Sequence, residues 1–250
     1  MTSIYVLQEP NSNRQPLSGI EIQSCRVLRN AGSGVQFSLH AFSSKSREVD
    51  VLINNTLIVG PLQPCVPSAP DCYIPSRPSK PAKPYYRWGV LVEGAPTLPS
   101  GSIRFENVTV IHSPGWSLPA VWVEKAANPG SFVVNFSSLN INMSKGGPAI
   151  AISATMPVSG GVNVDGAIIN RQCCAGGTPF LTATSNGANR LINVSVRDVT
   201  VRVNISESKQ QAATDCNATL SANASSNGVS VGNVTCVDET PVVARGSNMH

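Results

Sequence analysis

The chain has 250 residues and a net charge of +4, with Lys and Arg scattered along it, only 13% charged residues and few aromatics. There is no basic stripe of the kind that marks a nucleic-acid partner, and no apolar run long enough to insert into a membrane. Abundant Ser, Thr, Asn and Gly beside so little charge point to short strands separated by polar turns, within one domain.

Residues 1–18 are polar and Pro-rich and read as a loose lead-in, without the charged start and long apolar core of a secretory signal. A strand unit follows. Ile20 and Ile22 point one way, Gln23-Ser24 form a turn, and Cys25 and Val27 point the same way as the isoleucines, the alternation of strands buried on one face. The same spacing recurs from Val51 to Ile58, Ser102 to Val110, Val134 to Ile141, Val162 to Ile169, Val194 to Val201 and Val229 to Cys236. Copies lie about every 28 to 35 residues apart from one larger gap, a period that signals a solenoid.

A companion strand precedes several of these units: Gly34 to Ser38, Gly89 to Glu93, Ala120 to Glu124, Ala149 to Ser153 and Pro179 to Ala183. The larger gap is a Pro-rich insertion over 60–88, holding Cys65 and Cys72 and closing with Tyr85, Tyr86, Arg87 and Trp88. Insertions of this length at one corner of a scaffold often carry function. The stretch 204–228 is weakly patterned and reads as a long loop or degraded coil, and 238–250 as a disordered tail, leaving 19–237 as the folded domain.

Within each unit, the second member of the turn is Ser24, Asn55, Asn107, Ser138, Gly166, Asp198 and Asn233 in succession. All are small or turn-forming. Gly, Asn and Asp tolerate the left-handed backbone of a sharp bend, and Ser hydrogen-bonds locally. Gly147 and Gly161 are expected at further sharp corners. On these residues the chain resembles the right-handed parallel β-helices of the pectate-lyase-like superfamily, in which three parallel sheets run along a prism and an Asn-rich ladder lines one bend. The resemblance implies an all-β, right-handed parallel β-helix solenoid of about seven coils of three short strands. An antiparallel sandwich is the competing architecture, but the two-residue Asn-Gly hairpin turns it needs are scarce.

Enzymes of the resembled superfamily usually bind polysaccharide along the companion sheet. If Val90/Val92, Val121/Val123 and Ile150/Ile152 point inward, one outward column is Gln36, Leu91, Trp122, Ala151 and Leu181, and the next is Ser38, Glu93, Glu124, Ser153 and Ala183. Glu93 and Glu124 would then sit on neighbouring coils beside an aromatic platform at Trp122, with Tyr85, Tyr86, Arg87 and Trp88 close by. Paired carboxylates and a stacking surface are what glycan cleavage or binding would use. The clustered aspartates and arginine base of the resembled lyases, and the Asn-Thr-Asp, Asp-Asp and Gly-His-Gly motifs of the related hydrolases, are absent. Asp165 and Asp198 read as turn residues, and three histidines with an adjacent Cys173-Cys174 pair make no metal site. No cofactor is expected.

Nine Asn-x-Ser/Thr sequons, at Asn54, Asn107, Asn135, Asn142, Asn193, Asn204, Asn217, Asn223 and Asn233, favour an extracellular setting. So do seven cysteines, with Cys65–Cys72 and Cys216–Cys236 as candidate disulfides. If the chain is exported, the missing signal implies either a fragment, with further coils of a longer chain as neighbours, or a chain that has lost its leader. The expectation is an extracellular or cell-surface β-helix, non-catalytic or degenerate, associating with polysaccharide or surface glycan. The alternative is a polysaccharide lyase or glycoside hydrolase acting through Glu93 and Glu124.

Overall fold

The computed structural model describes residues 4–8, 17–28, 34–39, 48–60, 89–94, 100–112, 119–124, 132–143, 147–154, 161–172, 179–185, 194–204, 218–220 and 228–238. Among them the chain is all β and winds rung upon rung. The first rung comprises β1 (Ile4–Gln8), β2 (Leu17–Gln23) and β3 (Arg26–Leu28); the next β4 (Val35–Leu39), β5 (Glu48–Asn54) and β6 (Leu57–Val59). Then come β7 (Val90–Gly94), β8 (Ser100–Glu106) and β9 (Thr109–His112), followed by β10 (Val121–Glu124), β11 (Phe132–Ser137) and β12 (Asn140–Met143). β13 (Ile150–Ala154), β14 (Gly161–Asp165) and β15 (Ile168–Gln172) lead to β16 (Leu181–Ser185), β17 (Val194–Asn204), β18 (Ala218–Leu220) and β19 (Val229–Asp238). In the last two rungs one long strand supplies both the second and third segments.

Every strand pairing is parallel. The companion strands form one seven-stranded sheet, β1-β4-β7-β10-β13-β16-β18, and the remaining strands run alongside, joined through β17. The protein is a parallel β-solenoid, and no antiparallel sandwich is present among the described residues.

The repeat spacing produces this fold because each unit has four inward slots. In the third rung these are Ile103, Phe105, Val108 and Val110, all at most 1% exposed. The register stacks like on like: Ile53, Phe105, Phe136, Val164 and Val196 form one continuous inward column. A single rung could not cover its own apolar side, whereas stacked rungs share one core and pair each other's backbone groups. Burial falls off at both ends, where Ile20, Ile22, Val229, Val231 and Val234 are only partly covered.

All seven bend residues have positive φ: Ser24, Asn55, Asn107, Ser138, Asp198 and Asn233 between 50° and 54°, and Gly166 at 71°. This conformation turns the chain without interrupting the ladder between rungs. Ser24 N donates to Asn54 O (3.0 Å), Asn107 N to Ser137 O (3.0 Å) and Ser138 N to Asp165 O (3.1 Å), while just past the bend Asn140 N donates to Val108 O (2.9 Å). Side chains add a second ladder at the same corner, Asn107 Nδ2 donating to Asn55 Oδ1 and Asn233 Nδ2 to Asp198 Oδ1 (2.9 Å). Asp198 is a turn residue as expected, whereas Asp165 ends β14 in register with Ser137, just before the Gly166 bend. Asp165 accepts from Arg197 Nη2 of the next rung (2.7 Å), and that hydrogen bond and charge hold the guanidinium above its usual pKa.

Four local expectations are corrected. Ile4–Gln8, within the supposed lead-in, is a strand that pairs with β4, and Ala218–Leu220, within the supposed loop, is a strand that pairs with β16. Both are short and flanked by polar residues, so alternation alone did not single them out. Gly161 is no left-handed corner; it opens β14 opposite Val133, whereas Gly147 does have positive φ (127°). The fourth correction concerns β16, where the expected alignment was one residue out. Leu181 lies beside Ile150 and Ala183 beside Ile152, and both are fully buried. Because side chains alternate with a period of two, this shift exchanges the faces. The outward residues there are Thr182 and Thr184.

Candidate functional face on the companion sheet

The companion strands alternate strictly, so their inward valines and isoleucines oblige the intervening residues to face out. Val121 and Val123 are fully buried while Trp122 and Glu124 between and beside them are half-buried. The register aligns Gln36, Leu91, Trp122, Ala151 and Thr182 in one outward column. Glu93, Glu124, Ser153 and Thr184 form the next, with Ser38 at the same register position on β4. Glu93 and Glu124 are thus direct neighbours on consecutive rungs, about 4.8 Å apart at the backbone.

Trp122 is held in a defined orientation. Its Nε1 donates to Ser153 Oγ at 3.3 Å, one rung on and two residues along, so the indole leans across the small Ala151 and not toward Leu91. Leu91, in the same outward column, is only 1% exposed. On that rung the first outward column is therefore covered while Glu93, in the second, stays half-buried, and the aromatic part of the face begins at Trp122. Tyr85, Tyr86, Arg87 and Trp88 lie outside the described residues. Ser153, Thr182 and Thr184 border the face as hydroxyl donors and acceptors. Sequence reading assigned the role of Thr182 and Thr184 to their neighbours because of the one-residue shift in β16.

A second polar feature lies inside the tube and was not singled out from the sequence. His112, Met143, Arg171 and Val203 form an inward column at the end of the third segment. Arg171 is 1% exposed, and its Nη2 donates to Gly147 O (3.1 Å) and Pro179 O (3.0 Å), main-chain groups at the corner leading into the companion strands. Its role is to satisfy the carbonyls of a buried corner. The signal was an Arg in a slot that other units fill with Met, His or Val.

Among the described residues no group of three His, Cys, Asp or Glu is placed to hold a metal ion. The fold and face define a parallel β-solenoid with an aromatic and acidic patch on one sheet. No protein-family profile, curated protein or solved structure matches the chain.

Proposed function

We propose that this solenoid is a catalytically degenerate β-helix of the pectate-lyase-like kind, extracellular or at the cell surface, that associates with glycans through its companion sheet. The observation that carries the reading is Trp122: a half-buried, outward aromatic whose N–H is anchored to Ser153, with Glu124 two residues away and Glu93 on the adjoining rung. An oriented indole offers a face on which a sugar ring stacks, and nearby carboxylates and hydroxyls accept and donate to its hydroxyl groups. The Asn-lined bend supports the superfamily comparison, and the missing catalytic signatures support loss of turnover. The seven cysteines, with Cys65–Cys72 and Cys216–Cys236 as candidate pairs, support an oxidising compartment.

The enzyme reading draws on the same pair, since neighbouring rungs set the two residues about 4.8 Å apart at the backbone, close to the roughly 5 Å that separates the carboxyl groups of retaining glycosidases. Against it, both carboxylates rise side by side from one face of a sheet, whereas glycoside cleavage needs groups flanking the scissile bond. Affinity electrophoresis against neutral and uronate polysaccharides, combined with assays for new reducing ends and unsaturated products, separates the two. Binding without turnover is expected, weakened about tenfold or more in Trp122→Ala, a loss of ~1.4 kcal/mol. Cleavage that disappears in Glu124→Gln would establish the enzyme instead, and absence of binding to every glycan would remove both readings.

A further inference from the structure

The nine sequons are not equivalent once folded. Asn107 and Asn233 are exposed, both at the positive-φ bend between the second and third segments of their rungs, the corner that does not adjoin the companion sheet. Alternation then fixes the rest of each sequon: Val108 and Val234 turn inward, and Thr109 and Thr235 turn outward on the following segment. By contrast Asn135 and Asn142 are half-buried within sheet faces. Each has a neighbour on both adjoining rungs, and their Oδ1 atoms accept from Asn163 (2.9 Å) and Asn170 (2.8 Å).

We infer that Asn107 and Asn233 are the N-glycan attachment sites of this corner, and that Asn135 and Asn142 stay bare. In the transfer, the Asn amide nitrogen bonds to C1 of the first sugar of an oligosaccharide carried on a polyprenyl diphosphate. The C1–O bond to the diphosphate breaks, the amide gives up one proton, and the polyprenyl diphosphate leaves. One N–H remains on Nδ2. That single N–H is all the bend ladder requires, because Asn107 donates one bond to Asn55 Oδ1 and Asn233 one to Asp198 Oδ1. The glycan and the ladder bond therefore use different hydrogens of the same nitrogen, and modification leaves the corner intact. At Asn135 or Asn142 a sugar would have to fit beside a half-buried amide within a sheet face, whose Oδ1 is already held by the next rung. Glycans at the two sites stand four rungs apart, about 19 Å along the axis, and leave the companion sheet uncovered.

The test is site mapping on the full chain secreted from a eukaryotic host behind an appended leader. The protein is treated with an amidase that converts glycosylated Asn to Asp, and peptides are read by mass spectrometry. Conversion at Asn107 and Asn233, with none at Asn135 and Asn142, is the expected result. Thr109→Ala and Thr235→Ala, which keep each bend Asn, should each remove one step of gel mobility while leaving the thermal midpoint nearly unchanged. A bare Asn107 or Asn233 in the secreted protein, or a glycan at Asn135 or Asn142, overturns the assignment.

Discussion

Phe105 and Phe136 stack with ring centroids 4.7 Å apart and planes 12° from parallel, so the two rings reproduce inside the tube the spacing of the strands that carry them. Phe37, from the companion sheet, meets Phe105 edge-on at 6.0 Å and 84°. The three rings tie two sheets together at the middle of the core. Phe136→Ala should therefore cost ~3–5 kcal/mol through lost burial and the cavity left behind. Urea unfolding checks this, with Leu28→Ala as the control, because Leu28 is 53% exposed and its loss should be nearly silent.

The bend makes opposite predictions for two substitutions at one position. Ser138 has φ of 53° and an exposed side chain. Ser138→Gly removes the Cβ that disfavours this region and should leave stability within about 1 kcal/mol of the original or raise it. Ser138→Val puts a β-branched side chain where few are found and should lower it by ~1–2 kcal/mol. Equal effects of the two in thermal melts would mean the bend is not left-handed in solution.

Two positive-φ glycines separate close approach from backbone strain. A Cβ at Gly101 (φ 118°) would collide with the Val49 carbonyl oxygen and lie 2.8 Å from Val49 N, whereas one at Gly147 (φ 127°) would meet nothing within 4 Å. Gly101→Ala must push neighbouring rungs apart and should prevent folding or lower the melting temperature sharply. Gly147→Ala should cost only its strained backbone, ~1–3 kcal/mol. Parallel thermal melts rank the pair, and the reverse order would contradict the register of β5 with β8.

Arg171 is a buried charge whose worth depends on what replaces it. Arg171→Ala withdraws donors from Gly147 O and Pro179 O and opens a void, with an expected loss of ~3–5 kcal/mol. Arg171→Met follows the neighbouring rung, where Met143 fills the same slot, and should recover only the packing part of that loss, since Met donates to neither carbonyl. Denaturant midpoints of the two variants distinguish a role in packing from one in hydrogen bonding. A Met variant as unstable as the Ala variant assigns the role to the hydrogen bonds.

The solenoid could be read from the chain because its signal is repeated. A lone Asn55 or Asp198 says little, but turn residues in register between paired apolar positions seldom coincide by chance, and all of them proved left-handed. Strands without strong alternation were hidden, as in Ile4–Gln8 and Ala218–Leu220, where few inward residues are needed at the end rungs. The neighbourhood of Glu93 and Glu124 followed from counting residues between valines, and the register bears it out. At β16 the same counting failed because Phe180 and Leu181 are consecutive and both buried: Phe180 lies at the corner just before the strand, so apolarity alone could not tell where the strand began. Arg171 escaped notice because a charged residue in an inward slot breaks the rule by which the slots were found.

The bends also govern how such a molecule can change length. Asn135 and Asn163 are 28 residues apart, yet they occupy the same place on the cross-section and are linked by a hydrogen bond. A gene that duplicated or deleted the segment between them would add or remove one complete turn, leaving both junctions continuous and every surviving column aligned. Size is thus a quantised and nearly independent property of this architecture, free to drift by whole turns while the surface next to Trp122 stays as it is.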